Sequence, residues 1–191
     1  MLLPKLEKSV FETILARRSV RSYKAEPVTA DVLKTLLEAA IWAPTSMHKA
    51  PWGFVIIQNK ELLKTLSDRA KPLFINELKR NDMNADIWTH ADSNLFYDAG
   101  TLIIICGRTN SHLPEADCWM AAENMMLAAC AMNCGTCVIA SALPAIRMPE
   151  IKSTLGIPVD YTPVAPIIVG YPRAEPAPSQ RRAPLILNTI N

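Results

Sequence analysis

The sequence predicts a single domain that combines α-helices with short β-strands. Apolar residues recur at helical spacing in several stretches, which is typical of amphipathic helices. Short runs rich in β-branched residues are bounded by Pro, Gly or Asn, which is typical of buried strands. The chain has 191 residues, of which 50% are hydrophobic and 20% are charged, and this is enough to bury one large core. We therefore expect one domain over residues 1–191.

The helices of the first half are predicted by apolar stripes and capping residues. The apolar positions of residues 10–15 predict a helix over residues 6–17. Thr29 is a suitable N-cap for a second helix, which should end before Pro44 because a proline disfavours helical conformation in the residue before it. A third helix is predicted over residues 60–71.

The pattern weakens over residues 72–98, where Trp88, Phe96 and Tyr97 are mixed with polar residues. We expect an irregular helical segment there, which could act as a lid or pack into the core. A further helix should begin at Pro114, since proline suits the first helical position, and end before Gly135. A short helix is predicted over residues 149–155.

The predicted strands span residues 53–57, 101–106, 136–139 and 161–169. The last of these contains Pro163 and Pro166, which favour an edge strand or a bulge. Beyond it, residues 172–191 are rich in proline and have no core pattern until their apolar end. We expect this tail to pack on a second subunit.

The composition excludes several classes of protein. The formal net charge is +2, which is too balanced to indicate nucleic-acid binding. The apolar run at residues 102–106 is far too short to cross a membrane, and no apolar signal segment opens the chain. The five cysteines have no regular loop spacing, so we expect reduced thiols and a cytoplasmic location.

The densest group of candidate binding side chains follows the first predicted helix. Arg17, Arg18, Ser19 and Arg21 place three guanidinium groups beside a hydroxyl. Guanidinium groups bind phosphate oxygens in pairs, and the hydroxyl can fill a remaining acceptor site. The alternative is that Arg17 and Arg18 cap the carbonyl end of the helix, where cations are favourable. Other basic residues are concentrated near the opposite end of the chain, over residues 173–182.

The basic group is the first of five short motifs along the chain. They are RRSVR at residues 17–21, AAIWAPTS at 39–46 with PW at 51–52, YDAG at 97–100, GTC at 135–137 and PVAPIIVGYP at 163–172. In this order and spacing the chain resembles the flavin-dependent nitroreductase family over nearly its whole length.

The resemblance implies an α+β fold, a three-layer sandwich whose central mixed, largely antiparallel sheet is flanked by helices. It implies an obligate homodimer with exchanged C-terminal tails and FMN sites built from both subunits. The implied activity is that of an FMN-dependent NAD(P)H oxidoreductase. NADH or NADPH would deliver hydride to the flavin, and a nitroaromatic, a quinone or a similar flat small-molecule acceptor would then react in the same cleft, in a ping-pong sequence.

The resemblance also implies a role for individual residues. Arg17, Arg18 and Ser19 would hold the FMN phosphate and ribityl chain. Arg21 would approach the pyrimidine edge of the flavin, where a positive charge raises the reduction potential. No side chain is expected as an obligatory acid or base. The other expected contacts are Pro44, Thr45, Ser46 and His48 from the partner subunit, Ile139, Ala140 and Ser141 along one flavin face, and Arg181 or Arg182 at the phosphate.

The sequence departs from the family pattern beside the expected flavin. His48 stands where the family often has Asn, so a titratable ring could make activity depend on pH. Ala50 stands where Gln is common, which puts one side-chain hydrogen bond in doubt. Ala140 or Ser141 replaces a Glu or Gly, which leaves the contact near N5 to the backbone.

Two other functions compete with this interpretation. The spacing of Cys130, Cys134 and Cys137 resembles the cluster-binding motif of radical S-adenosylmethionine enzymes, and three thiolates could ligate an iron–sulfur cluster. Against a cluster, Cys130 falls on the apolar stripe of a helix and Cys137 in a strand, where thiols pack as small hydrophobic groups. The second alternative is a flavin-binding sensor or carrier without turnover.

Overall fold

The structure is a computed structural model that describes residues 8–90 and 93–190. Its helices are α1 (Val10–Ala16), α2 (Ala30–Ile41), α3 (Lys60–Arg80), α4 (Asp86–Thr89), α5 (Pro114–Ala131), α6 (Leu143–Ile146) and α7 (Pro149–Thr154). Its strands are β1 (Trp52–Ile57), β2 (Thr101–Arg108), β3 (Gly135–Val138) and β4 (Tyr161–Gly170). Short 3-10 turns occupy Ser46–His48 and Ala140–Ala142.

The strands form one sheet in the order β1-β2-β4-β3, and every neighbouring pair is antiparallel. The expected mixed sheet is therefore corrected to an antiparallel one. The parallel pairing that the structure describes is an isolated bridge between Ser19 and Thr136, outside the ladders.

The four predicted strands are confirmed, but β4 lies inside the sheet and the expectation of an edge strand is wrong. The expected irregularity is present, because the register shifts between Ile105 and Cys106 and leaves Val164 as an additional residue in β4. The short strand β3 pairs only with residues 167–170. Both prolines of β4 precede that stretch, so their missing N–H groups interrupt no bond to β3.

Helices cover both faces of the sheet and give it three layers. Ile103 and Ile105 of β2 pack in one core with α2 and α5. Leu102 and Ile104 pack in the other core with residues of α3, α6 and α7. Because successive side chains of a strand point to opposite faces, the unbroken apolar run of β2 serves both cores.

Helix α2 begins and ends where the sequence predicts. The Thr29 hydroxyl accepts the N–H of Val32 at 3.4 Å, and the helix stops before Pro44. The predicted starts at Pro114 and Pro149 are also confirmed. Of the described helices, none combines the length and the apolar character that a bilayer crossing requires.

Helix α3 continues past its predicted end at residue 71 and contains Pro72. Proline removes one intrahelical hydrogen bond and normally breaks or kinks a helix. Leu73 and Phe74, directly after it, pack against the core, and this packing holds the helix through the proline. The irregular segment expected from residue 72 therefore begins only after Arg80.

The apolar side of α1 faces outward. Ser9 and Glu12 form a capping box at its start, and the start predicted at residue 6 lies outside the described residues. Phe11 is 77% exposed and Leu15 is 69% exposed. An amphipathic helix normally buries such a side, so this surface has no partner among the described residues of the single chain.

Two glycines make room on the sheet for the segment that follows α1. Gly135 and Gly170 are directly opposite each other in β3 and β4. A Cβ atom at Gly170 would lie 2.8 Å from the ring of Tyr23, and one at Gly135 would lie 2.8 Å from the side chain of Val20. Tyr23 is buried, and its hydroxyl donates to the Val20 carbonyl oxygen at 2.7 Å. Residues 17–23, the basic loop, therefore pack directly on the backbone of these two glycines.

Gly170→Ala should lower the free energy of unfolding by about 1–3 kcal/mol, because the new methyl group overlaps the buried ring of Tyr23. Gly53→Ala in β1 is the matched control. It should lose less stability, because its Cβ would lie 3.1 Å from the Tyr161 ring, a longer contact than the one at Gly170. Urea denaturation of both variants gives the two values. Equal losses would show that Tyr23 is not held against this glycine.

Candidate functional site

Hydrogen bonds fix the basic loop to the ends of two strands. The Val20 N–H donates to the carbonyl oxygen of Thr136 in β3 at 2.9 Å. The Lys24 N–H donates to the carbonyl oxygen of Tyr171 at 2.9 Å, just beyond β4. The loop has little regular structure of its own, so these bonds define where its side chains project.

Arg17 and Arg18 have different surroundings. Nη1 of Arg18 donates to the carbonyl oxygens of Leu15 and Arg17, at 2.5 and 2.8 Å. Arg18 therefore caps α1, as the alternative interpretation predicts, but its Nε is buried and has no partner among the described residues. Nε of Arg17 lies 3.5 Å from Oε1 of Glu123 on α5, in a partly exposed ion pair.

Both arginines line a cleft of about 610 Å³ between the basic loop, the start of β3 and the start of the tail. Lys8, Lys24 and Arg173 add three more cations to it. Among the described lining residues the one carboxylate is that of Glu175. Cations in excess, together with a buried N–H that lacks an acceptor, make this cleft suitable for a phosphate or a similar anion.

Arg21 is held against Tyr97 at the border of a second cleft of about 220 Å³. Its guanidinium carbon lies 6.0 Å from the centroid of the Tyr97 ring, at the outer range of a cation–π contact. Trp88 packs edge-on against the same ring, with 5.8 Å between centroids. Burial raises the pKa of Tyr97, and Arg21 opposes that rise. Phe96, the other aromatic residue of this segment, is buried in the core.

The thiol of Cys137 on β3 is buried, and three of the predicted side chains influence its pKa. Burial raises the pKa of this thiol, and Arg21, the Ser19 hydroxyl and Arg17 each oppose the rise. Ser19 also forms a parallel bridge with Thr136, the residue before Cys137.

The second predicted segment is a strained turn. Met47, His48 and Ala50 have φ values of 54°, 53° and 43°, in the left-handed region that residues other than glycine rarely adopt. The Ala50 N–H donates to Oγ1 of Thr45 at 3.3 Å. Strain of this kind persists only where the surroundings fix the backbone, and it is concentrated at ligand sites. Residues 44–50 are called the polar turn below.

The predicted site residues do not all meet within one chain. The described residues around the larger cleft include none of the polar turn, and along the tail they extend only to Pro178. Arg181 and Arg182 are exposed beyond that point. After β3, Ile139 is buried, Ala140 is exposed and Ser141 is half-buried. A single chain thus places Arg17 and Arg18 in the larger cleft and Arg21 at the smaller one, and the described residues around these two clefts include none of the other predicted site residues.

Comparison with known protein families shows to which family the chain belongs. The model of the nitroreductase family matches residues 14–171. The chain belongs to the nitroreductase family. A crystal structure of a nitroreductase from Bacteroides fragilis with bound FMN is 31% identical, with a TM-score of 0.77 over 96% of this chain and 98% of that one.

Two more distant relatives agree with this assignment. A protein of Methanothermobacter thermautotrophicus, provisionally named an NADH dehydrogenase/NAD(P)H nitroreductase, is 26% identical over 87% of this chain and 79% of its own length. A crystal structure from Parabacteroides distasonis, with the same provisional name, is 26% identical over 93% of this chain and 95% of that one, with a TM-score of 0.70.

The cysteine triplet of this member of the nitroreductase family does not form a cluster site. Cys134 packs in the core shared with α2 and α5, whereas Cys137 packs in the core on the opposite face of the sheet. Burial raises the pKa of both thiols, which disfavours the thiolates that iron requires. Among the described residues no three His, Cys, Asp or Glu side chains are placed to hold a metal ion. The iron–sulfur alternative is therefore wrong.

Two polar residues of the candidate site were not predicted from the sequence. Asp117 of α5 is buried, and its Oδ1 accepts the N–H of Ser46 at 3.0 Å. An acid in the first turns of a helix is normally exposed, so the sequence carries no signal for this contact. Arg173 lines both clefts. It belongs to the C-terminal basic group, which could have indicated it.

Proposed function

We propose that this protein is an FMN-dependent NAD(P)H oxidoreductase that reduces nitroaromatic compounds, quinones or similar flat acceptors. The observation that carries the proposal is the cationic cleft in which Nε of Arg18 is buried without a partner among the described residues. The bound FMN of the Bacteroides fragilis relative supports the choice of cofactor. The name of the Methanothermobacter relative supports a nicotinamide donor.

The basic loop fits the phosphate of FMN. Arg17 and Arg18 offer guanidinium donors, and Ser19 offers a hydroxyl, to a group whose oxygens are strong acceptors. A buried N–H without an acceptor costs about 1–3 kcal/mol, and a phosphate oxygen at Nε of Arg18 would remove that cost. Arg181 or Arg182 would reach the same phosphate, because the tail before them already follows the cleft as far as Pro178.

Arg21 adjusts the redox properties of the site. FMN, when bound, supplies the electron transfer, accepting two electrons from a nicotinamide and releasing them to the acceptor. Arg21 carries a guanidinium group, and the contact with the Tyr97 ring keeps it beside the cleft. A fixed positive charge at the pyrimidine edge of the flavin, near N1 and O2, favours the anionic reduced ring and raises its potential.

Donor and acceptor use one cleft in turn, which is the structural basis of a ping-pong sequence. Ile139, Ala140 and Ser141 would lie along one flavin face and leave the other face open to a flat molecule. The small, exposed side chain of Ala140 is consistent with close approach of a ring. No protein acid or base is required in this scheme, because the residues provide placement, charge and exclusion of water.

Each site is completed by a second copy of the chain, whose Pro44, Thr45, Ser46 and His48 would contact the flavin. The separation of the polar turn from the basic cleft within one chain supports this arrangement. So does the apolar surface of the single chain, where Phe11, Trp42 and Leu185 are 77%, 84% and 85% exposed. Burial of such side chains is worth about 1.5–3 kcal/mol each, which favours a stable homodimer with exchanged tails.

Purified protein should contain stoichiometric FMN and oxidise NADH or NADPH when a quinone or nitroaromatic acceptor is added. Arg17→Ala should weaken FMN affinity by about tenfold or more, because charged hydrogen bonds contribute about 1.5–3 kcal/mol. Flavin fluorescence titration of the apoprotein measures the affinity. Arg69→Ala, at an exposed arginine of α3, is the control and should change nothing. Absence of flavin binding in the parent protein would refute the proposal, and binding without turnover would indicate a carrier.

Arg21→Ala should lower the midpoint potential of bound FMN by roughly 30–60 mV. This corresponds to about 1.5–3 kcal/mol for one charged contact to the reduced ring, at ~30 mV per 1.4 kcal/mol for two electrons. Potentiometric titration against a reference dye gives the value. Arg21→Lys keeps a charge and should show a smaller shift. An unchanged potential in Arg21→Ala would place this residue away from the flavin.

Deletion of residues 183–191 should raise the dissociation constant of the dimer by at least about tenfold, since the deleted segment includes Leu185, Leu187 and Ile190. Sedimentation over a concentration series measures the constant. The double variant Arg181→Ala, Arg182→Ala keeps the apolar end and should remain dimeric while binding FMN more weakly. A deletion variant that dimerises like the parent protein would contradict tail exchange.

A further inference from the structure

Asp117 is a buried carboxylate that is only half satisfied. It is 1% exposed, in the first turn of α5. Its Oδ1 accepts the backbone N–H of Ser46 at 3.0 Å, across 71 positions of sequence. Its Oδ2 is buried and has no hydrogen-bond partner among the described residues.

Such a group is unfavourable for folding. A carboxylate removed from water loses its hydration, and a single backbone N–H compensates for only part of that loss. A neutral side chain of similar size would fill the same space at a lower cost in stability. The position of Asp117 therefore calls for a reason other than packing.

The polar turn supplies that reason, because it is strained and needs an external anchor. Met47, His48 and Ala50 are all left-handed, and the Ala50 N–H finds its acceptor within the turn itself. Two bonds tie the turn to the rest of the chain at Ser46. One is the N–H to Asp117, and the other joins its hydroxyl to Nδ1 of His112 at 3.0 Å, on the exposed side. A charged acceptor forms the stronger of the two.

We propose that Asp117 is the positioning residue of the polar turn, which it holds in the strained conformation that presents Ser46 and His48 to the cofactor. The inference rests on the proposed function for the identity of that cofactor. The carboxylate acts through the backbone of Ser46 and does not touch the flavin. Asp117 lowers the stability of the fold but fixes the conformation of the binding surface. Such a trade-off between stability and activity is common at functional sites.

The test compares Asp117→Asn, which is isosteric and retains one acceptor oxygen, with Asp117→Ala, which removes both. Glu115→Gln is the matched control, since it removes a charge from the first turn of the same helix at an exposed position. Three measurements are made on the full chain: hydrogen exchange of residues 45–50 in the FMN-free protein, FMN affinity, and the thermal midpoint.

We expect exchange at Ser46 to accelerate about tenfold or more in Asp117→Ala, because the N–H loses its acceptor, with a smaller change in Asp117→Asn. FMN affinity should fall in the same order, by about tenfold in Asp117→Ala. The thermal midpoint of Asp117→Asn should stay at or above that of the parent protein, and Glu115→Gln should match the parent in exchange and affinity.

Slow exchange and parental FMN affinity in Asp117→Ala would overturn the proposal. So would a lower thermal midpoint in Asp117→Asn with faster exchange throughout α5 and β2, because Asp117 would then be an ordinary structural residue. If no variant binds FMN and neither does the parent protein, the proposed function fails. The exchange data still decide whether Asp117 holds the turn.

Discussion

The contact on which the site depends is the packing of Val20 and Tyr23 against the glycine pair of β3 and β4. Gly135 and Gly170 leave no side chain at this end of the sheet, so the basic loop approaches the strands at backbone distance. The loop is neither helix nor strand, and its order comes from this packing together with its bonds to Thr136 and Tyr171. The position of the cationic side chains of the loop therefore depends on two glycines that are far away in sequence.

The same packing determines what the cations can do. Guanidinium groups on a flexible segment would lose conformational entropy on meeting a phosphate, which reduces the net gain. Here the backbone is already fixed by hydrogen bonds at Val20 and, just after the loop, at Lys24, so less conformational entropy remains to be lost. The polar turn is fixed in advance as well, through Asp117. Both halves of the proposed site are thus ordered before any ligand binds, and the proposed second copy of the chain would bring them together.

Local sequence patterns predicted most of the fold, and they failed where tertiary packing decides. The cap at Thr29, the buried run of β2 and the start at Pro114 are signals contained within a few residues, and all three are confirmed. The weakening of the apolar pattern from residue 72 predicts a helix that ends at residue 71, but Leu73 and Phe74 pack against a core that no local pattern shows. Strand β4 is interior because β3 pairs with its outer side, and local sequence does not show this pairing.

The site residues also divide into those that local sequence predicts and those that depend on tertiary structure. RRSVR predicted a group of cations, since the residues are adjacent in sequence and need no fold to meet. The partnership of Asp117 with Ser46 spans two elements that only folding brings together, and the left-handed residues of the polar turn are not glycines, so composition gives no indication of either. Residues that bind a ligand can be visible in a sequence, whereas those that hold them in place usually depend on the complete structure.

The two interpretations of the basic loop, a helix cap and an anion site, are compatible because a guanidinium has more donors than either role uses. Arg18 directs Nη1 to the carbonyl oxygens at the end of α1, which satisfies groups that every helix leaves unpaired. This bond fixes the plane of the guanidinium, and its buried Nε still lacks an acceptor. Capping α1 therefore orients the side chain for a ligand. In the proposed function, the end of α1 therefore contributes to phosphate binding through Arg18, although no side chain of the helix itself needs to touch the phosphate.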